Sequence, residues 1–421
     1  MISFALFFGL TVGSVCGKAA AEGKLVYVTV LFRHGDRSPI TAYPTDPYQD
    51  NAWPQGFGQL TQEGMRQHFE LGQFLRKRYK GFLNESYDRH EILVDSTNFD
   101  RTLMSAEANL AGLYPPSGQQ VFKPDLKWQP IPVHAQPQSQ DKFLSFPLGD
   151  CPRFIQLLDE TEHTEDYINV TIKYQDFIHM LSNKTGLRNV TLESLWSIYD
   201  TLFCESRHNM SAPDWVTADV MQTLAKLHAL NFQVMFGLYK QQEKSRLQGG
   251  VLLGEILKNL SKMAVSNSEQ KLKLMMLSAH DSTVVALQSS MNVYNGKPPP
   301  YASCHMFELY MNDNSSASVL MFYRNDTSVE PYPLQLPGCS LQCPLEDFVR
   351  ITKPSISDDR AKECQVPSDK RNKEVIVILS VSGCLLLLLI IILLTIICWQ
   401  KELSNREGYQ HVINEEVGEQ S

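Results

Sequence analysis

The sequence predicts an α/β protein. It would have a mainly parallel sheet with helices on both faces, an inserted mostly helical cap, and one C-terminal transmembrane helix. Three observations carry this prediction. Short β-branched apolar runs alternate with amphipathic helical patterns over the first hundred residues and return near Leu272. Between them, from about 153 to 245, only helical periodicity is seen. Near the end, Val375 to Trp399 carries no charge and includes the run Leu385–Leu394, long enough for a helix to cross a bilayer.

The elements follow in order. Ile2–Val15 is apolar and precedes Ala19-Ala20-Ala21, as in a cleaved signal peptide over residues 1–21. Lys24–Phe32 is β-branched and almost chargeless, as expected of a strand buried on both faces. A Gly/Pro-rich loop runs from Gly35 to Gly58. Thr61 is then a plausible N-cap for a helix whose apolar face holds Met65, Phe69, Gly72, Leu75, Tyr79 and Phe82. Glu91–Val94 reads as a second strand, and Leu103, Ala106, Leu110 and Leu113 mark a second helix. Leu272–Leu277, Met306–Met311 and Ser318–Tyr323 read as further strands. The resulting division is a core over 22–127 and 236–364, the cap over 128–235, and a polar stalk over 365–374. The membrane helix follows over 375–399 and a short acidic tail over 400–421.

Composition bounds the function. The chain has 421 residues, 43% of them hydrophobic, which rules out wholesale disorder. A net charge of -8 argues against nucleic acid as a partner but leaves room for a local cationic pocket. Signal peptide and C-terminal span together give a type I topology. Lys370, Arg371 and Lys373 oppose it mildly against Lys401 and Arg406, but large domains translocate largely regardless of such charges. The lumenal part holds six cysteines: Cys151, Cys204, Cys304, Cys339, Cys343 and Cys364. An even count fits three disulfides in an oxidising compartment, with 15 possible pairings. Cys339 and Cys343 resemble half a zinc site, yet no second pair follows at metal spacing, so a local disulfide is expected and no metal. Eight N-x-S/T sequons begin at Asn84, Asn169, Asn183, Asn189, Asn209, Asn259, Asn314 and Asn325, all on the lumenal side.

The chemistry gathers at strand ends. The first strand runs into Arg33-His34-Gly35-Asp36-Arg37-Ser38-Pro39. Two guanidiniums beside one imidazole suit a group with several anionic oxygens, phosphate above all. The glycine is read as allowing close backbone approach to a ligand. Leu272–Leu277 delivers Ser278-Ala279-His280-Asp281, and Glu91–Val94 is followed by a helix opening at Arg101, where unpaired N–H groups favour an anion. In open α/β sheets ligands bind at the carboxyl ends of strands. A lone His or Arg at such an end is usually structural, and the other nine of the 11 histidines are read as ordinary polar or surface residues. The R-H-G-x-R-x-P string is far more specific.

On these residues the chain resembles the histidine acid phosphatases, branch 2 of the histidine phosphatase clan. The likeness spans about Lys24 to Cys364. Its matching stretches include W-P-Q-G-F-G-Q-L-T at 53–61, W-Q-P-I-P-V-H at 128–134 and R-L-Q-G-G-V-L at 246–252, besides F-D-R-T-L-M-S-A at 99–106, S-A-H-D at 278–281 and P-Y-A-S-C-H at 300–305. The resemblance implies a phosphomonoester hydrolase without cofactor, in which His34 is the nucleophile and becomes a phosphohistidine. It implies that Arg33, Arg37, Arg101 and His280 hold the phosphoryl oxygens and that Asp281 protonates the leaving alcohol. It further implies disulfides Cys151–Cys364, Cys204–Cys304 and Cys339–Cys343, and a homodimer. The membrane span and the tail Gly408-Tyr409-Gln410-His411-Val412 look like the lysosomal members of that family.

Within the tail, Tyr409 and Val412 fit Y-x-x-Φ, an extended signal read by sorting adaptors on the way through the cell surface to the lysosome. Cys398 is a weak palmitoylation candidate beside a plain lipid-facing thiol. Relatives usually read R-S-T-D where this chain has Asp95-Ser96-Thr97-Asn98, a charge reversal expected to tune the pocket edge. An unperturbed Asp titrates near 4, so an acidic optimum is expected if Asp281 is the acid. Competing readings are a phytase or phosphomutase relative, a family phosphatase retained at the cell surface, and a non-enzymatic ectodomain. A phosphomutase usually has Glu where Asp281 stands, a phytate specialist wants a basic mouth, and an ectodomain leaves the six site residues unexplained.

Overall fold

The computed structural model describes residues 21–265, 271–366 and 370–418, the last with backbone alone at 370–376 and 403–418. The signal-peptide reading lies outside the described residues, apart from position 21. Residues Met1–Gln365 cluster as one compact unit and Val366–Ser421 as another.

The first unit is built on an eight-stranded sheet in the order β3-β2-β4-β1-β5-β6-β7, with β8 also paired to β6. Its strands are β1 (Lys24–Arg33), β2 (Ile92–Ser96), β3 (His134–Ala135), β4 (Leu274–Ala279), β5 (Cys304–Met311), β6 (Ala317–Arg324), β7 (Tyr332–Leu334) and β8 (Cys343–Pro344). The expectation of a mainly parallel sheet is corrected. Three pairings, β1/β4, β2/β4 and β2/β3, are parallel, and the four that involve β5 to β8 are antiparallel. The reason lies in chain length: β5 meets β6 through Asn312–Ser316, far too short for a parallel crossover of a dozen residues or more.

β1 is the central strand and is buried on both faces. Val28, Val30 and Phe32 point into a cluster with Leu71, Leu75, Ala106 and Leu110. Those four residues come from α1 (Gln62–Arg78) and α2 (Asp100–Leu113). Tyr27 and Leu31 point the other way, against Leu253 and Val284. These belong to α9 (Gly249–Met263) and α10 (Asp281–Ser290). The near-continuous apolar run of β1 is thus the sequence trace of double burial. Thr61 caps α1 as expected, its side chain accepting from the Gly64 N–H.

Between β3 and β4 the chain forms α3 (Pro152–Glu162), α4 (Glu165–Lys173), α5 (Gln175–Thr185), α6 (Leu195–Arg207), α7 (Ala218–Phe236) and α8 (Gln241–Leu247). Several of these close over their own apolar cluster, with Leu181, Leu195, Ile198, Leu202 and Leu224 at its centre. Cys151, the N-cap of α3, is bonded to Cys364, and Cys339 to Cys343. Cys364 closes α12 (Arg360–Glu363), which follows α11 (Leu345–Thr352).

The third pairing is not formed: Cys204 and Cys304 are both free and buried. Cys204 on α6 faces the Tyr301 hydroxyl at 3.5 Å and Arg37 at 3.7 Å, whereas Cys304 on β5 packs into the α1/α2 side of the sheet. Burial pushes both thiols up to about 12, so neither is a ready thiolate.

In the second unit, α13 (Lys370–Gly418) is one helix, within which Val377–Glu402 is long and apolar enough to cross a membrane. The stalk expected to end at 374 is already helical from Lys370. The backbone at Tyr409–Val412 is helical too, in place of the extended form expected for an adaptor-read signal.

Candidate functional site

The site is made where β1, β4 and β2 end side by side. Arg33 lies opposite Ala279, and Ser96 opposite Ser278. The backbone carries this alignment one step past the strands: the His34 N–H donates to Ala279 O at 2.9 Å, and the Thr97 N–H to Ser278 O at 3.1 Å. His34, His280 and Thr97 are therefore neighbours by register, and the His34 and His280 rings meet edge-on with centroids 5.6 Å apart.

His34 is 2% exposed. Its Nδ1 lies 2.8 Å from Gly35 O. A carbonyl only accepts, so Nδ1 carries the proton and Nε2 is left with its lone pair. Burial, then Arg33, Arg101, Arg37 and His280, hold the imidazole well below its ordinary titration range. The imidazole therefore stays uncharged well below its ordinary titration range. The partner that sequence reasoning left open is the carbonyl of the next residue.

Gly35 itself has a different role from the one expected. A Cβ there would sit 2.4 Å from Gly64 O, and a Cβ on Gly64 would sit 2.2 Å from Asp36 O. The pair lets the signature loop lie directly on the first turn of α1. The close approach is to protein, not to a ligand.

The three arginines converge. Arg33 donates to Pro299 O at 2.6 Å, pairs with Asp281 at 3.0 Å, and lies over the Tyr301 ring at 4.2 Å. Arg37 is gripped bidentately by Asp200 on α6, at 2.8 and 2.9 Å. Arg101, on the first turn of α2, has no ion-pair partner among the described residues and stacks on Phe99 at 4.8 Å. Burial, with Arg37 adding repulsion, lowers it to about 10. The Nε–H groups of all three arginines are buried with no hydrogen-bond partner among the described residues. Buried, unpartnered guanidinium donors are costly, so their convergence marks a binding site for an anion.

His280 is the N-cap of α10. Its Nε2 is 3.0 Å from Thr97 Oγ1, which in turn meets Thr102 Oγ1 at 2.9 Å. The Thr102 hydroxyl donates to the Phe99 and Thr97 carbonyls, so Thr97 donates to Thr102 and must accept from His280. A capping box supports the same tautomer, since the His280 side chain accepts from the Thr283 N–H. Burial and Arg101 bring His280 down to about 3, which makes it a neutral, oriented Nε2–H donor.

Asp281 follows at the first residue of α10, its carboxylate accepting from the Ser282 N–H at 2.7 Å. Burial raises it, but Arg33, His228, Arg37 and His280 together outweigh burial and bring it to about 2. The sequence expectation of an acid near 4 is thus corrected for the free site: Asp281 is an ion-paired carboxylate there.

All six expected site residues line one cavity of about 990 Å³. Asp95 and Asn98 do not. Asp95 sits across from His134 on the outer strand pair, so the charge reversal falls outside the cavity wall. Of the sequon asparagines, Asn259 is half-buried with its amide nitrogen turned onto Met275 Sδ at 3.6 Å, and is a poor glycan acceptor. Asn84, Asn169, Asn183, Asn189, Asn209 and Asn314 are exposed, and Asn325 is partly so.

Several residues that sequence reasoning passed over belong to the site. Asp36 is 1% exposed and is held by Arg207 at 2.8 Å, His208 at 2.7 Å and the Thr61 hydroxyl at 2.7 Å. With Arg37–Asp200 this makes a double bolt between the signature loop and α6. His228 on α7 lines the cavity, stacked on Tyr199 with centroids 4.9 Å apart. His68 and His305 are fully buried, not surface residues. The stripe Trp196, Tyr199, Asp200, Phe203 on α6 has the i, i+3, i+4, i+7 spacing that could have been noticed in the sequence.

Comparison with known proteins agrees. The model of the histidine phosphatase superfamily (branch 2) matches residues 24–324. The chain is 56% identical to the lysosomal acid phosphatase of Rattus norvegicus over 392 residues, covering 93% of this chain and 92% of that one. It is 51% identical to the prostatic acid phosphatase of Bos taurus, covering 84% and 91%. Among solved structures, the tartrate complex of Hafnia alvei phytase shares the fold with a TM-score of 0.60 at 20% identity, over 83% of this chain and 100% of that one. Sequence, strand-end geometry and these likenesses coincide: the chain belongs to branch 2 of the histidine phosphatase superfamily.

Proposed function

We propose that this chain is an acid phosphatase that hydrolyses orthophosphoric monoesters through a phosphohistidine at His34. The observation that carries this reading is the neutral His34 Nε2 ringed by three buried guanidiniums with unpartnered Nε–H groups. Phosphoryl transfer needs in-line placement and charge stabilisation on the equatorial oxygens, and fixed positive forks supply both.

In the first step the His34 Nε2 lone pair forms the N–P bond as the P–O bond to the alcohol breaks. The departing oxygen takes a proton from Asp281. In the second step water attacks phosphorus, gives a proton back to Asp281, and the N–P bond breaks to release phosphate. Asp281 enters as the Arg33-paired carboxylate. A phosphate that recruits the Arg33 donors weakens that pair and raises Asp281 towards the range where it holds a proton. The acid is thus armed by substrate binding. kcat, which reports the bound state, should then fall at a higher pH than the Asp281 of the free site would give. Acid-stable controls aside, trapping of an alkali-stable, acid-labile phosphoenzyme from aryl phosphate in the parent, and its absence in His34→Ala, tests the covalent step. A parent that turns over without it would overturn the assignment.

The proposed setting is the lysosomal lumen. A cleaved leader over 1–21 would deliver the catalytic unit there, with the helix around 377–402 as its anchor. The exposed sequons would carry glycans, the helices between β3 and β4 would act as a cap over the core, and two copies would associate. Tyr409 and Val412 would engage sorting adaptors once that turn of helix unwinds. Tyr409→Ala should leave the protein at the cell surface, and undiminished lysosomal delivery of the variant would remove the tail signal.

A further inference from the structure

The cavity has two chemically opposite ends. All of its arginines, Arg33, Arg37 and Arg101, stand at the His34 end, and no lysine lines it among the described residues. Beyond them the wall is apolar and aromatic. Tyr199 stacks on Phe203 at 5.5 Å and on His228 at 4.9 Å, and His228 meets Phe232 edge-on at 5.2 Å. Burial, the largest influence, lowers His228 from its ordinary range, and its Nδ1 is buried with no hydrogen-bond partner among the described residues. An unpartnered ring nitrogen on an aromatic wall is a polar handle for a bound molecule.

Further along, the cavity reaches Asp159, Glu162 and Glu193. Glu162 is raised by burial and then by Glu193 and Asp159, so both of those carboxylates lie within electrostatic range of Glu162. Glu162 and Glu193 have no ion-pair partner among the described residues, and Asp159 has only a long, exposed contact with His163 at 3.7 Å. Ile155 and Trp196 stand exposed among them. Phosphate cannot rest at this end, since like charge repels it. Carboxylates next to aromatic faces are instead the surroundings that attract an ammonium group.

We propose that the alcohol half of the preferred substrate is an apolar amine: a small phosphomonoester with an aryl or long-chain body and an ammonium group that rests among Asp159, Glu162 and Glu193. This deepens, and rests on, the phosphatase reading above. It excludes polyphosphorylated polyols as preferred substrates, because their further phosphates would meet those carboxylates.

The test compares three esters on the full-length protein at about pH 6 and low salt: phenyl phosphate, O-phosphorylated tyramine, and O-phosphorylated hydroxyphenylpropanoate. The last two differ chiefly in the sign of one charge at matched size. The amine should be favoured over the acid by about tenfold in kcat/KM, mostly through KM, with the ratio shrinking two- to threefold in about 0.5 M salt. In Glu162→Gln/Glu193→Gln the amine-to-acid ratio should fall towards one, with a far-ultraviolet spectrum and melt checking that the variant is folded. If that variant does not fold, Glu193→Gln alone should still lower the ratio. If phenyl phosphate is not hydrolysed at all, the phosphatase reading fails. If it is hydrolysed but the parent treats amine and acid alike, this inference fails on its own. An amine preference that is untouched by the substitutions also overturns it.

Discussion

The two ends of the cavity are built by different means. The His34 end comes from three adjacent strand termini whose spacing is fixed by parallel register, so its groups are buried, short-tethered and held by backbone hydrogen bonds. The far end comes from α3, α6, α7 and Glu193 in the loop before α6, whose side chains are aromatic, acidic and partly exposed. The difference separates the labours of one site: the sheet sets what is transferred, and the helices set what it is transferred from. Asp200 links the two, since it sits on α6 yet grips Arg37 and accepts from the Ile40 N–H at 3.1 Å.

Substitutions can break this contrast, beginning with the strand ends. His34→Ala removes the proposed nucleophile and should lower kcat by at least about ten thousandfold, measured with aryl phosphate. Asp281→Asn should cost roughly a hundredfold or more on alkyl esters and under about tenfold on aryl esters, whose aryloxides leave without help. Equal losses on both would remove Asp281 from the acid role. Asp200→Ala cuts the link and leaves Arg37 buried without its partner. Loss of one member of a buried pair costs about 3–5 kcal/mol of stability, so the melting temperature should fall, and a misplaced Arg37 should lower kcat/KM as well. A change confined to leaving-group preference would show that Asp200 belongs to the helical end alone.

A smaller effect concerns stability. His68 is buried, its Nε2 3.0 Å from Arg33 O, and burial brings it down to about 3. An unfolded chain takes up that proton below about 6.5 and the folded one does not, so its contribution is lost as pH falls from 6.5 towards 3. His68→Gln should flatten the decline between pH 7 and 5 by up to about 1.4 kcal/mol per pH unit, read from denaturant unfolding. Glu205 has the opposite sense. Burial, with Asp46 beside it, pushes its carboxyl up, so its proton stabilises the fold in acid and that support fades as pH rises through the raised value. Glu205→Gln should therefore gain stability relative to the parent in mild alkali and little in acid.

The same contrast explains what was legible. R-H-G-x-R-x-P, F-D-R-T and S-A-H-D each follow an apolar run, and parallel strands in register necessarily bring such ends together, so six site residues could be placed without coordinates. Asp200, Asp36's partners and His228 were hidden because they act from helices whose docking has no local signature. The antiparallel half was legible in principle from the short Asn312–Ser316 link. Asp281's ionisation was not, since it depends on Arg33 turning towards it in space. The Cys204–Cys304 pairing came from resemblance, and here Cys204 faces Tyr301 and Arg37 at the strand-end site while Cys304 packs into the α1/α2 side of the sheet.

The Arg37–Asp200 and Asp36–Arg207 exchanges have a consequence for assembly. The phosphate end is incomplete until α6 is seated, because a guanidinium and a carboxylate of the first strand's loop are both fastened by that late helix. Anion affinity should then be a gauge of maturation: chains whose helical segment has not docked should bind orthophosphate weakly, and orthophosphate should in turn hasten the appearance of the native species during refolding.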